Sequence, residues 1–223
     1  MKHISVAIDG PVGAGKSTIA KKLAQMLGYM YLDTGATFRT VALSAINSGI
    51  KTSDNINVAK LMDNIDIKVE FEGTEQINYL NGKNVNSMIR TPEVSMGASD
   101  VGVLADVRQK LVEIWRNIAN KYDIVMEGRD IGTNALPDAD YKFFLTASVE
   151  ERALRRYKEL IDNGCSNVKI EQVTKDIELR DKQDSTREVA PLKIADDAII
   201  IDSTDKNIQN VLNEMLCHIK RGK

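Results

Sequence analysis

A three-layer α/β fold around a five-stranded parallel sheet is what this sequence predicts, on three observations. Five short apolar runs, most of them continuous, have the character of strands covered on both faces. Helical patterns sit between or after those runs, the arrangement that gives parallel strands joined by right-handed crossovers. A glycine-rich turn, Gly10-Pro11-Val12-Gly13-Ala14-Gly15-Lys16-Ser17, lies between the first run and the first helical pattern. The 223 residues suffice for one domain carrying insertions.

In chain order, the expected strands are Ile4–Ile8, Met30–Leu32, Ile124–Met126, Lys142–Leu145 and Ala198–Ile201. The expected helices are Ser17–Leu27, Thr37–Asn47, Val101–Ala119, Val149–Ile161, Ile170–Arg180 and Ile208–Ile219. One stretch breaks this rhythm. Ile65-Asp66-Ile67-Lys68-Val69-Glu70-Phe71 alternates apolar and charged residues, as a sheet with one wet face does. Ile77-Asn78-Tyr79-Leu80 follows, then the hairpin dipeptide Asn81-Gly82 and Lys83-Asn84-Val85. Residues 63–92 are therefore expected to form a small antiparallel sheet outside the parallel core, placed to select a ligand or to act as a structural flap. Residues 150–188 are dense in charges of both signs, and two helices joined at Asp162-Asn163-Gly164 would make a mobile hairpin. Most of these charges read as a solvated face with i,i+4 pairs; the arginines also suit a phosphate.

Composition excludes several functions. A net charge of −2 gives no overall basic field to recruit nucleic acid. No apolar stretch approaches the roughly 18–20 residues of a membrane span, and Met1-Lys2-His3 leaves no room for a signal peptide before the first strand. Cys165 and Cys217 lack metal-ligand spacing and read as reduced thiols of a cytoplasmic protein. With His3 and His218 as the only histidines, a histidine-based catalytic or metal site is not expected.

The turn at Gly10–Ser17 spells G-x-x-x-x-G-K-[ST], the phosphate-cradling P-loop, in the strand-to-helix context that the motif needs. Its glycines let backbone N–H groups curl around an anion, and the helix dipole favours negative charge there. Lys16 is placed for the β- and γ-phosphates, and the Ser17 hydroxyl for Mg²⁺, its expected ligand. The chain should bind a nucleoside triphosphate. Among P-loop proteins, a GTPase needs an Asn-Lys-x-Asp element, which is absent. Met126-Glu127-Gly128-Arg129-Asp130 superficially fits a motor's acidic strand end, yet its arginine speaks for a second anion. A small kinase is the economical reading; kinases with other acceptors and a purely nucleotide-sensing protein remain as alternatives.

Four further motifs carry a resemblance. Leu32-Asp33-Thr34-Gly35-Ala36-Thr37-Phe38-Arg39 and Ile89-Arg90-Thr91-Pro92-Glu93-Val94 resemble bacterial cytidylate kinases. So do Glu127-Gly128-Arg129-Asp130-Ile131-Gly132-Thr133 and Arg180-Asp181-Lys182-Gln183-Asp184-Ser185-Thr186-Arg187. The likeness runs in register from the P-loop to Asp202-Ser203-Thr204, nearly the whole chain. It implies transfer of the γ-phosphoryl group of MgATP to CMP or dCMP by a P-loop kinase core with a helical lid, acting as a monomer. The core would comprise about 1–33, 98–149 and 189–223, the monophosphate-binding part about 34–97, and the lid about 150–188.

The resemblance also distributes roles. Arg39, Arg129 and Arg187 would clamp the CMP phosphate; for Arg129 an internal ion pair with Asp33 or Glu127 is a rival role, and the two could coexist. Gly128 would belong to the acceptor site, and Asp130 would read the cytosine amino group, with Ser99 and Arg108 on the N3/O2 side. Ser99 equally suits an N-cap for the helix from Val101. Arg180 and Asp184 would hold the ribose hydroxyls, though their spacing also fits an i,i+4 salt bridge. Thr34 joins the acceptor set. Thr18 completes the donor loop, and Arg152, Arg155 or Arg156 would meet the ATP phosphates, with Arg156 preferred. Lys16, Arg129, Arg180 and Arg187 are the expected catalytic charges. The sequence departs from the family at Thr34 (serine is usual), Phe38 (tyrosine), Glu127 (aspartate) and Asn134-Ala135-Leu136, none of which removes an essential charge.

Overall fold

The parallel sheet is built from β1 (Ser5–Asp9), β2 (Met30–Asp33), β6 (Ile124–Gly128), β7 (Tyr141–Thr146) and β8 (Ile199–Asp202) in the spatial order β2-β6-β1-β7-β8. Every pair in it is parallel, with Ile8 facing Glu127 on one side and Phe143 on the other. The computed structural model describes residues 2–162, 164–165 and 168–221. All five expected strands are present, each within two residues of its expected ends. The reason for their continuous apolarity is visible in the packing. Successive residues point to opposite faces, and both faces are covered. Ala7, Leu32, Ile124 and Met126 pack against α2 (Thr34–Asn47) and α5 (Ala105–Ala119). Val6, Ile8, Val125, Phe143 and Ile201 pack against α1 (Lys16–Leu27) and α8 (Ile208–Arg221).

A second sheet, β3 (Ile67–Glu72), β4 (Glu75–Leu80) and β5 (Lys83–Asn84), is antiparallel and three-stranded. Asn81 and Gly82 turn with φ of 50° and 75°, the double left-handed step that a tight hairpin needs. The sheet is shorter than the expected 63–92 span, because residues 85–91 turn toward the next helix instead of extending.

The expected Val101–Ala119 helix is present but starts four residues later, and a separate helix precedes it. α4 (Pro92–Val101) ends at Gly102, and α5 starts at Ala105 after Leu104. Ser99 thus lies inside α4 and is no N-cap for the helix that follows. Thr91 caps α4 through its hydroxyl, and Pro92 occupies the first turn, where no amide N–H is needed. Three elements had no counterpart among the expected ones: α4, α3 (Asn55–Met62), capped by Asp54, and a π-helical turn, Ile131–Ala135. α6 (Val149–Asp162) and α7 (Ile170–Thr186) pack on each other through Ala153, Val173 and Ile177. α7 runs six residues beyond its expected end at Arg180. Asn163, in the expected Asp162-Asn163-Gly164 connection, lies outside the described residues. No helix among the described residues is long and apolar enough to cross a membrane.

Candidate active site

The C-terminal ends of β1, β2 and β6 open onto one cleft of about 1230 Å³. Crevices of this kind form where neighbouring parallel strands send their connections to opposite sides. One wall is the glycine-rich turn. Gly10 brings the chain so close to β7 that a Cβ there would come within 2.0 Å of the Leu145 carbonyl oxygen. Gly15 caps α1 in a left-handed conformation, φ 90°. Val12 through Thr18 line the cleft, whereas Gly10 and Pro11 form the base of the turn behind it. Lys16 is buried, and its Nζ donates to the Pro11 carbonyl at 2.7 Å. Burial, then the nearby Arg129 charge, holds its ammonium below its ordinary pKa, with Glu127 pulling the other way. It is a cation short of an anion.

Asp9 ends β1 just before the turn and is also buried. Its carboxylate accepts from the Ile131 N–H at 2.8 Å and the Gly132 N–H at 2.7 Å. It therefore ties the root of the loop to the turn that carries Arg129 and Asp130. Burial pushes its pKa up to about 6 against those two hydrogen bonds.

The opposite wall is cationic. Arg39, Arg90, Arg129 and Arg180 line it, and Arg155 and Arg156 approach from α6. Arg39 Nη2 donates to Asp33 Oδ2 at 2.7 Å, and its buried Nε has no partner. Arg129 Nε donates to Asp184 Oδ2 at 2.7 Å, so its ion pair is with α7 and not with Asp33 or Glu127. The i,i+4 bridge from Arg180 to Asp184 does not form: Asp184 turns to Arg129, with Arg187 3.7 Å away. Arg180 has no ion pair among the described residues. Burial and the like charges of Arg156 and Arg129 hold it below its ordinary pKa.

Behind this wall lies a buried cluster. Asp130 Oδ1 accepts from Arg187 Nη2 at 3.1 Å, and its Oδ2 accepts from Asn134 Nδ2 at 2.9 Å. Arg108 Nη2 lies 2.5 Å from Asp130 Oδ1, off the hydrogen-bonding direction, while its Nη1 donates to the Gly102 carbonyl. Its guanidinium stacks 5.4 Å over the Phe38 ring, which meets Trp115 edge to face. The residue that replaces a phenol thus supports an arginine.

Other expected residues are placed differently. Thr34 does not face the cleft: its hydroxyl donates to the Glu127 carbonyl at 2.7 Å, and Gly128 presses against it. Ser99, Arg108, Asp130, Asp184 and Arg187 also lie off the cleft surface. Arg152 is locked inside by Ala147, Val12 and Asp181, so it has no reach toward a ligand. Arg155 spans to Ser203 and Arg156 pairs with Glu159, both at the cleft edge.

At the junction of the two walls, the Tyr31 hydroxyl donates to Glu127 Oε1 at 2.5 Å. Glu127 is held above its ordinary pKa by burial and the Asp33 charge, with Lys16 and hydrogen bonds from Tyr31 and Ser17 opposing. Glu127, crowded by the Asp33 charge, and the Ser17 hydroxyl bonded to it offer oxygen donors, which fit a hard divalent cation such as Mg²⁺. Tyr31, Asp9 and Arg90 were not singled out from the sequence. Only Arg90, within its motif, carried a signal that could have found it.

The family model for cytidylate kinase matches residues 6–221. The cytidylate kinase of Caldicellulosiruptor saccharolyticus is 49% identical over 97% of this chain and 95% of its own. That of Desulforamulus reducens is 47% identical over 100% and 99%. An uncharacterized protein from Eubacterium ventriosum, solved by crystallography, aligns with a TM-score of 0.51 at 14% identity over 98% and 99% of the two chains, a likeness of fold alone. On the profile match and these identities, the chain belongs to the cytidylate kinase family.

Proposed function

We propose that the chain transfers the γ-phosphoryl group of ATP to CMP or dCMP, giving ADP and CDP or dCDP. The observation that carries this reading is one cleft with a desolvated lysine on its P-loop wall and, on the other, Arg180, which has no ion pair among the described residues, beside Arg129 and Arg156. A nucleotide sensor needs only the first wall. Two polyanions brought end to end need both.

Val12 through Thr18 hold the triphosphate, Lys16 taking the β- and γ-phosphates. Ser17 would hold Mg²⁺, with Glu127 and Asp33 behind it; when bound, the ion neutralises triphosphate charge. Arg39, Arg129 and Arg187 hold the acceptor phosphate through their planar forks. A phosphate oxygen of CMP forms the new bond to the γ-phosphorus while the bond to the β–γ bridging oxygen breaks. The attacking CMP oxygen is already ionised near neutral pH, so no general base is required, and the bridging oxygen leaves as part of ADP. Asp130 accepts from the cytosine amino group, taking it in place of a present partner such as Arg187. Ser99 and Arg108 serve the other ring edge, and Arg180 with Asp184 the ribose.

Residues 34–97 form the monophosphate-binding part. α6 and α7 act as a lid that excludes water, with Arg156 reaching ATP. Both walls of the cleft come from one chain, which supports action as a monomer. Cys165 and Cys217 are free thiols, as in a reducing cytoplasm. Initial rates with MgATP across CMP, dCMP, UMP and AMP test the reading. Efficient turnover is expected with the cytidylates alone, and equal rates on UMP or AMP overturn it.

A further inference from the structure

The small antiparallel sheet has no group in the chemistry just described, yet its inner side reaches the cleft. β2 is an edge strand of the parallel sheet, with no strand beyond it among the described residues. Its outer backbone is nonetheless paired. The Tyr31 N–H donates to the carbonyl of Thr74, in the β3–β4 turn, at 3.2 Å. At Asp33 a side chain takes over. Gln76 Oε1 accepts from the Asp33 N–H at 2.7 Å, and Gln76 Nε2 donates to the Asp33 carbonyl at 3.3 Å. A primary amide has one acceptor and two donors, so it can imitate the missing peptide of a neighbouring strand.

Gln76 is itself held. Its Nε2 also donates to Asn78 Oδ1 at 2.7 Å. Asn78, 2% exposed, turns its backbone and side-chain N–H groups onto Asn86 Oδ1, both at 2.9 Å. Asn86 Nδ2 returns to the Gln76 carbonyl at 2.9 Å. This closed ring of amides leaves Gln76 a single orientation.

Asp33 passes that order on. Its Oδ1 caps α2 through Ala36 N–H at 3.0 Å, and its Oδ2 holds Arg39 Nη2 at 2.7 Å. The guanidinium lies against Gly35, where a Cβ would stand 3.2 Å from Nη1. We infer that Gln76 is a positioning residue of the acceptor site, through which the inserted sheet sets the direction of Arg39. The inference rests on the acceptor-phosphate reading of Arg39 above.

The test is a double-mutant cycle between Gln76→Met, which keeps the length and removes both polarities, and Arg39→Ala. Gln76→Met is expected to raise KM for CMP about tenfold, the effect of two lost hydrogen bonds, and to leave KM for ATP unchanged. In the Arg39→Ala background the same substitution should add nothing. Gln76→Glu, which keeps the acceptor and loses the donor, should fall between. It also serves if the methionine variant fails to fold. Equal rises in both KM values, or independent effects in the cycle, overturn the positioning role while leaving the acceptor reading intact. An Arg39→Ala enzyme with normal KM for CMP overturns that reading, and the inference with it.

Discussion

The two walls of the cleft solve the same problem, holding phosphate, in opposite ways. The P-loop wall is continuous in sequence and made largely of backbone, and its one cation, Lys16, is buried with only the Pro11 carbonyl as acceptor. The arginine wall is drawn from α2, the end of β6 and α7; two of its cations are committed, Arg39 to Asp33 and Arg129 to Asp184, and behind it Arg187 is committed to Asp130. One wall waits for charge; the other must exchange it. A desolvated lysine costs stability until the triphosphate arrives, whereas paired arginines cost little and release their carboxylates only to a ligand that replaces them. Order of cost and order of function therefore differ between the walls, and that difference can be broken by mutation.

The largest effect is expected on the waiting side. Lys16→Met should lower kcat by about a thousandfold, the scale of one lost electrostatic contact to the transferring group. Because the ammonium is already disfavoured by burial, the variant should melt no lower than the parent. Near-normal turnover contradicts the donor assignment, and a marked drop in Tm contradicts the idea that this wall stores cost.

On the exchanging side, Asp130→Asn should narrow the CMP:UMP ratio of kcat/KM by about a hundredfold, since the amide can also donate to the uracil carbonyl. Here stability should fall, because Arg108 and Arg187 lose a buried counter-charge. An unchanged ratio moves base recognition elsewhere.

Asp9 joins the walls, and its prediction concerns both. Its folded pKa of about 6 lies above the carboxylate's ordinary 3.8. The folded state therefore holds the proton more tightly, and stability from this group is full below the unfolded value. As pH rises from about 4 to 6, folding loses about 3 kcal/mol at this residue. Asp9→Asn should flatten that part of the stability profile and hold or raise Tm at pH 7. It should also lower kcat/KM for CMP about tenfold, because one of the Ile131 and Gly132 N–H groups loses its acceptor. Parallel profiles for parent and variant between pH 4 and 6 contradict the assignment.

The same contrast explains what could be read from sequence. The P-loop was legible because its function needs neighbours along the chain: a strand, glycines with free φ, a lysine and a hydroxyl. The parallel strands were legible because two covered faces leave continuous apolar runs. The Asn81-Gly82 hairpin was legible for its turn chemistry. The start of α5 was not, since Val101-Gly102-Val103-Leu104 keeps the apolar content that predicts a helix from Val101. The π-helical turn is fixed by Asp9, more than a hundred residues away, and no local pattern marks it. Motif order brought the acceptor arginines to the right region. It could not say which carboxylate each one meets. The Arg180–Asp184 pair fails although its spacing is right, because Arg129 from another element holds the carboxylate. Gln76 was invisible for the same reason, its partner Asp33 being met only in space.

The smallest effect is a proton count. With Lys16 held below its ordinary pKa by burial, a bound triphosphate should favour the charged ammonium and draw a proton onto it. Calorimetric titration with ATP alone near pH 8, where the nucleotide phosphates are ionised, should show uptake of a fraction of a proton across buffers of different ionisation enthalpy. CMP alone should produce no uptake at Lys16, because its expected partners are arginines that stay charged throughout. Uptake with CMP equal to that with ATP would remove the contrast between the two walls, and uptake with neither would leave Lys16 fully charged before any ligand binds.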